Sequence, residues 1–111
     1  MRRRVVLVLL TFVFSVGVHA GSAAPGSLSK LHFMSNDVVI VYTSGVRSNV
    51  PSCASSQPKR FALDGTTEEG KVQVSGLISA HAAGKNVTIK GKGSCEAYGD
   101  TETISYFYIA D

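Results

Sequence analysis

Several residue types that carry common chemistries are scarce in this chain of 111 residues. Tryptophan is absent, so the four tyrosines are the only large rings with a polar group. Cysteine occurs twice, with no Cys-x-x-Cys spacing, and the three histidines form no His-Glu-x-x-His motif. The sequence also lacks a phosphate-binding loop. It therefore predicts neither a metal site nor a cofactor.

An excess of charge is also missing once the first twenty residues are set aside. The full chain has a net charge of +3, and Arg2, Arg3 and Arg4 supply all of it. Beyond residue 20, eight basic side chains balance eight acidic ones. Proteins that bind nucleic acids through counterion release present a basic face. The balanced charge therefore argues against nucleic acid as a partner.

Residues 1–20 have the pattern of a cleavable signal peptide. Three arginines precede a mainly apolar run from Val5 to Val18, and small residues stand at Val18 and Ala20. The run is shorter than the roughly 20 residues that span a membrane, although an uncleaved anchor is the alternative. A cut after Ala24 is disfavoured because Pro25 would follow the bond. We expect a mature chain that starts near Gly21, is secreted or periplasmic, and has no further membrane contact.

Export also bears on the two cysteines, Cys53 and Cys95. An even number of cysteines in an exported protein predicts pairing, and two residues allow one connectivity. A reactive thiol or a metal-binding pair is the competing interpretation. We expect a Cys53–Cys95 disulfide.

The mature chain has signals for five short strands and one helix. Residues 21–30, rich in Gly, Ser, Ala and Pro, are expected to form a flexible leader. The β-branched run Val38–Tyr42 is the clearest strand. Further strands are expected at 46–56, 60–64, 86–92 and 104–109, with the helix after the third strand. The order β-β-β-α-β-β predicts a mainly β domain over residues 31–111, a small five-stranded OB-fold-like barrel. This fold serves many functions, so it does not determine one.

The predicted helix has signals at both ends. Thr66 and Glu69 have the spacing of a capping box, and Gly84 is expected to end the helix in the left-handed conformation. The side chains that share one apolar face are Val74, Leu77, Ile78 and His81.

Nothing in the sequence predicts catalysis. A catalytic site needs a nucleophile or an acid–base pair oriented by a partner. His81 belongs to the apolar face of the helix, where a packing role is commoner, and His32 precedes the first expected strand. We expect that the chain is not an enzyme.

Tyrosines and one polar triplet are the candidate binding residues. Tyr106 and Tyr108 share one strand face and Phe107 and Ile109 the other, so one of these pairs must belong to the core.

The triplet Ser35-Asn36-Asp37 directly precedes the strand run and could present hydroxyl and backbone N–H groups to a carboxylate or a sugar. The alternative is that the triplet only turns the chain, because Asn and Asp favour turns.

Three segments resemble the B subunit of subtilase cytotoxin and related small secreted bacterial OB-fold proteins. They are Phe33–Ile40, Pro51–Cys53 and Val74–Ile89, and the closing block 93–103 resembles the same small secreted proteins. The resemblance implies an OB-fold subunit in a five-fold ring whose helix lines the central pore. It also implies a cell-surface sialylated glycan as ligand and allows an exported A subunit as partner.

Ser35 matches the serine that engages the sugar carboxylate in that family, and Asn36 and Asp37 adjoin it. The chain differs at 90–92, where Lys-Gly-Lys replaces bulky aromatic residues, so sialic-acid specificity is not carried over. Two functions remain at this stage. One is an oligomeric glycan-binding module, and the other is a stand-alone exported domain with a structural or inhibitory role.

Overall fold

The computed structural model describes residues 20–110 of the chain. The predicted signal peptide therefore lies outside the described residues except for Ala20. The strands are β1 (Ser22–Phe33), β2 (Val38–Thr43), β3 (Arg47–Ser48), β4 (Arg60–Asp64), β5 (Asn86–Gly91) and β6 (Glu102–Ala110), and the helix is α1 (Glu68–Ala82). A short 3-10 helix, Ser52–Ala54, lies between β3 and β4.

Five of the strands form a closed ring. Its order is β1-β2-β4-β6-β5, and β5 returns to β1, while the short β3 pairs with β1 beyond the ring. All pairs are antiparallel except β4 with β6, which are parallel. With α1 between β4 and β5, the ring strands follow the order β-β-β-α-β-β. The predicted fold class, mainly β with one helix in an OB-fold-like barrel, is confirmed.

The expected flexible leader at residues 21–30 is wrong, because residues 22–30 belong to β1. Ala23 and Leu28 are buried in the core. A Cβ added at Gly26 would lie 2.2 Å from the backbone nitrogen of Gly45. The small residues that suggested a flexible segment instead permit close approach of two backbones. Strand β1 also changes partner along its length, from β5 and β3 to β2, with a register shift between Ala23 and Gly26.

The strand expected over residues 46–56 is much shorter. Only Arg47–Ser48 pairs as a strand, and Asn49 then adopts a positive φ of 51° that turns the chain away. Pro51 precedes the 3-10 helix. The segment therefore leaves the sheet after two residues and does not form a ring strand.

Helix α1 begins one residue later than the capping box predicts. Thr67 is the N-cap, and its hydroxyl accepts the hydrogen bond from the Gly70 amide at 2.9 Å. Thr66 instead donates its hydroxyl and amide protons to the Asp64 carboxylate. These bonds hold the pKa of Asp64 below its ordinary value of 3.8. Glu68 and Glu69 occupy the first turn, where negative charge is favourable.

The inner face of the helix agrees only in part with the sequence pattern, whereas the end of the helix agrees with it. Leu77 is fully buried and Val74 packs at the edge of the core, but Ile78 remains 45% exposed and His81 is also exposed. Ile78 and His81 therefore lie outside the buried face predicted for them. Gly84 has a φ of 64° and ends the helix as predicted.

Two apolar clusters stabilise the barrel. The main core lies inside the ring under α1 and includes Val41, Phe61 and Ile89. A smaller cluster around Ile40 and Ala62 lies on the other face of β2 and β4, against Tyr42 and Tyr98. Strand β2 therefore has buried side chains on both of its faces.

The predicted disulfide between Cys53 and Cys95 is present, with an S–S distance of 2.10 Å. It joins the 3-10 helix to the segment that connects β5 and β6. A structural disulfide indicates an oxidising compartment, either extracellular or periplasmic.

Candidate functional site

The triplet Ser35-Asn36-Asp37 forms the turn between β1 and β2. The Met34 amide donates to the Val38 carbonyl at 2.8 Å, and the Asp37 amide donates to the Met34 carbonyl at 3.3 Å. Asp37 has a φ of 65°, which suits the last position of a three-residue hairpin loop. The backbone of this turn is therefore held by hydrogen bonds without help from its side chains.

The three side chains of the turn are exposed. Within residues 20–110, no hydrogen bond from the side chains of Ser35, Asn36 or Asp37 is formed. The Asp37 carbonyl accepts a hydrogen bond from the Gly65 amide at 2.8 Å, which ties the turn to the start of the connection into α1. The turn thus offers polar side chains on a fixed backbone.

A groove of about 280 Å³ adjoins this turn. We call it the turn groove, and it is lined by Phe33, Met34, Asp37, Val38, Val39, Gly65, Lys71 and Val74. Its volume lies close to the roughly 300 Å³ at which small-molecule sites begin. Ser35 and Asn36 do not line the groove, so of the predicted residues only Asp37 reaches both the turn and the groove.

Phe33 and Lys71 add an aromatic ring and a positive charge to the groove. The Phe33 side chain is 57% exposed although it ends a strand whose other large apolar residues pack inward. The Lys71 ammonium lies 3.4 Å from the Glu68 carboxylate in an exposed pair of the first helical turns. An exposed pair of this kind contributes little stability, and it leaves Lys71 able to contact a ligand.

The four tyrosines divide into two structural and two exposed rings. Tyr42 and Tyr98 pack against the smaller cluster beside Arg60, whose guanidinium donates to the Tyr42 hydroxyl at 3.1 Å. Arg60 also binds the Asp100 carboxylate at 2.9 Å. The Thr101 hydroxyl and Arg60 together hold the pKa of Asp100 below its ordinary value of 3.8.

Tyr106 and Tyr108 are both more than half exposed on the outer face of β6. Their cross-strand neighbours on β5 are Lys90 and Thr88. The Thr88 hydroxyl is buried and forms no hydrogen bond with any residue of the described part of the chain. Phe107 packs against the core, whereas Ile109, which was expected to share its face, is 44% exposed, so only half of the predicted core pair is confirmed. The outer face of β6 is a second surface with exposed aromatic rings.

The two histidines of the described residues, His32 and His81, are not placed as a catalytic pair. The His81 Nδ1 atom lies 3.0 Å from the Leu28 carbonyl, so the ring bridges α1 and β1. His32 lies exposed on β1 opposite Ile40. Across residues 20–110, no three His, Cys, Asp or Glu side chains are grouped as metal ligands. A second cleft, of about 210 Å³, lies between the start of α1 and the connection from β5 to β6, with Glu69, Glu96 and Lys92 in its lining.

Phe33, Gly65 and Lys71 are candidate site residues that the sequence did not single out. Phe33 could have been suspected because an aromatic residue directly precedes the polar turn. Gly65 and Lys71 come from a segment about thirty residues further along the chain, and no local pattern connects them to the turn.

Within the described part of the chain, no helix is long and apolar enough to cross a membrane. No protein-family model matches this chain, and neither the curated proteins nor the solved structures provide a significant match.

Proposed function

We propose that this protein is an exported, oligomeric glycan-binding module of the toxin B-subunit type, and that the turn groove with its adjoining turn holds the sugar. The observation that carries this proposal is the junction of an exposed polar turn, Ser35 to Asp37, with a groove that contains the exposed Phe33 ring. The disulfide supports the exported state.

The chemistry of the groove suits a sugar. A small ligand site combines an apolar lining with a few placed polar groups, and a sugar ring has an apolar C–H face and a rim of hydroxyl groups. The Phe33 ring offers a surface for the apolar face, while Asp37 and Lys71 can bond to hydroxyl groups. Lys71 can also pair with a carboxylate, since its ion-pair partner Glu68 is exposed to solvent.

Exposed apolar side chains support an assembled form. On α1, Val72 is 73% exposed and Ile78 is 45% exposed, and Val46 beside β3 is 75% exposed. Assembly into a ring with the helix toward the centre would remove these side chains from water. We therefore propose a homo-oligomer, most simply a pentamer, that an exported A subunit can accompany. A neighbouring gene for an exported enzyme would favour that partner.

Light scattering on the exported, oxidised protein at micromolar concentration tests the assembly. We expect a mass several times that of one chain. A plain monomer would instead favour the alternative function, a stand-alone exported domain with a structural or inhibitory role.

A glycan array with the same protein tests the ligand. We expect binding to a subset of glycans, and Ser35→Ala and Phe33→Ala should each weaken it. Loss of one hydrogen bond to a charged ligand group costs about 1.5–3 kcal/mol, or roughly ten- to hundred-fold in affinity. Ser56→Ala is the matched control, since Ser56 is also an exposed serine in a turn but lies after the 3-10 helix, outside the turn between β1 and β2.

Two results would contradict the assignment of the site. Unchanged binding by Ser35→Ala with a lower melting temperature would make Ser35 a turn residue only. Loss of binding in Tyr106→Ala or Tyr108→Ala, with the groove variants unaffected, would move the glycan to the outer face of β6. If no glycan on the array is bound, the alternative function, a stand-alone exported domain, is favoured.

A further inference from the structure

The carboxylate of Glu102, at the start of β6, is completely buried. Its Oε1 atom pairs with the guanidinium of Arg47 on β3, whose side chain is only 8% exposed. Its Oε2 atom accepts hydrogen bonds from the Gly21 amide at 2.8 Å and the Gly93 amide at 2.9 Å. A buried charge is costly unless partners of this kind satisfy it. Neither the barrel core nor the turn groove contains this cluster.

The Gly21 backbone contacts this carboxylate, and there is little space around it. Its carbonyl accepts a hydrogen bond from the Gly91 amide at 2.7 Å. A Cβ added at Gly21 would lie 2.1 Å from the Glu102 Oε1 atom and 2.8 Å from the Arg47 Nη2 atom. Position 21 therefore accepts glycine and no larger residue. The preceding residue, Ala20, is exposed, so the chain passes from solvent to the buried Glu102 carboxylate within one residue.

The residues just after Gly21 belong to the folded ring. Ser22 and Ala23 pair with both β3 and β5, and Ala23 is fully buried. A cut after Ala24 would remove Ala23 from the core and the Gly21 amide from Glu102. Among the two cuts that the small residues allow, only the one before Gly21 preserves the barrel.

We propose that the Ala20–Gly21 bond is the processing site of this chain, and that the amino terminus released there stays on the Glu102 carboxylate as an ion pair. An exported peptidase adds water across the bond, so Ala20 gains a carboxylate and Gly21 gains an amine that takes up a proton. The hydrogen bond from the Gly21 nitrogen to Oε2 then joins two groups of opposite charge. This inference does not depend on glycan binding.

The cut must precede folding, because the amide nitrogen of the bond is buried against Glu102 in the folded barrel. Because Ala20 is exposed, its removal allows solvent to reach the new amine from that side of the closed barrel. The processed terminus therefore stabilises the barrel, because it fixes the residue directly before β1.

The charges around the amine have opposite effects on its pKa. Glu102 on β6 contacts it directly and raises the pKa, whereas Arg47 on β3 and the partial burial lower it. Lys90 on β5 lies opposite Ser22, and it also lowers the pKa. The carboxylate should have the largest effect, because its Oε2 atom contacts the amine nitrogen directly at 2.8 Å, whereas Arg47 is bound to the other oxygen, Oε1. A raised pKa adds stability that is complete below the ordinary value, about 7.7–8.0, and is lost as the pH rises through the raised value.

The test uses the full-length chain, expressed with its own amino-terminal segment in an exporting bacterial host. Amino-terminal sequencing of the exported, oxidised protein should give Gly21. Competitive acetylation with acetic anhydride, read by peptide mass spectrometry, then follows the reactivity of this amine against pH. We expect a midpoint at least about one unit above the denatured protein, which corresponds to about tenfold less neutral amine near neutral pH. The midpoint is used because burial alone lowers the amplitude of the reaction but does not move its midpoint upward.

Two exported variants complete the test. Glu102→Gln should return the midpoint to the ordinary value or below it, whereas Glu96→Gln, which removes an exposed carboxylate outside the cluster, should leave it unchanged. If Glu102→Gln does not fold, the comparison of native with denatured wild-type protein still decides. A first residue other than Gly21, or a native midpoint at or below the denatured one, would overturn the proposal.

Discussion

At the scale of single residues, the glycines of this chain have a steric role that composition does not reveal. Gly91 is buried at the end of β5, and a Cβ added there would lie 2.1 Å from the Glu102 Oε2 atom. Gly99 has no neighbouring atom within 4 Å of the same position. The two glycines lie in neighbouring parts of one chain but have opposite tolerance for a methyl group.

Gly91→Ala is therefore expected to lower the free energy of unfolding by about 1–3 kcal/mol, because the methyl group must displace a buried carboxylate. Gly99→Ala is the control and should change it by less than about 0.5 kcal/mol. Urea unfolding of both variants measures the difference. Equal stabilities would mean that the Glu102 cluster rearranges without cost.

At the scale of elements, the first residue of α1 depends on which threonine hydroxyl accepts a hydrogen bond from the free backbone amides of the first helical turn. Both Thr66 and Thr67 are suitable N-cap residues by type. The Asp64 carboxylate binds Thr66, and this leaves Thr67 to accept from Gly70. Gly70 itself packs with no space for a side chain, since a Cβ there would lie 1.9 Å from the Asp64 carbonyl oxygen. The connection from β4 thus sets the first residue of the helix.

Thr67→Ala should destabilise the protein by about 1 kcal/mol through loss of the N-cap. Thr66→Ala removes an exposed hydrogen bond to Asp64 and should cost less. Thermal unfolding of the two variants under identical conditions gives the comparison. A larger loss in Thr66→Ala would show that the capping box of the sequence pattern is the effective cap.

At the scale of the whole molecule, the closed ring is reinforced by one covalent link between distant segments. Cys53 and Cys95 are separated by 42 positions, so the bond restricts a large part of the unfolded chain. On the chain-entropy account, a loop of this length adds roughly 4 kcal/mol to the free energy of unfolding.

Reduction is expected to remove most of that stability, and the measurement is denaturant unfolding with and without a thiol reductant. The double variant Cys53→Ser/Cys95→Ser should be less stable than the oxidised protein and should not respond to the reductant. A wild-type midpoint that is insensitive to reduction would contradict this role of the disulfide.

Prediction from sequence succeeded where a pattern was local and its alternatives were few. The run Val38–Tyr42, the strand at 60–64 and the left-handed Gly84 follow from propensities that act within a few residues. The predicted turn at 35–37 is also a turn in the structure, whereas its role in glycan binding stays a prediction. The groove beside it could not be predicted, because its wall combines β1 and β2 with the first turns of α1.

By itself, the sequence determined the fold class, the site of the single helix and the cysteine pair, since periodicity, capping residues and an even cysteine count are local or countable properties. Only the tertiary structure decided that residues 22–30 form part of β1, that Tyr106 and Tyr108 face outward, and that Glu102 is buried on Gly21. The physical reason is the same in each case. Small residues, alternating aromatic residues and a lone glutamate are each compatible with exposure or burial, and the choice depends on partners that are distant in the chain.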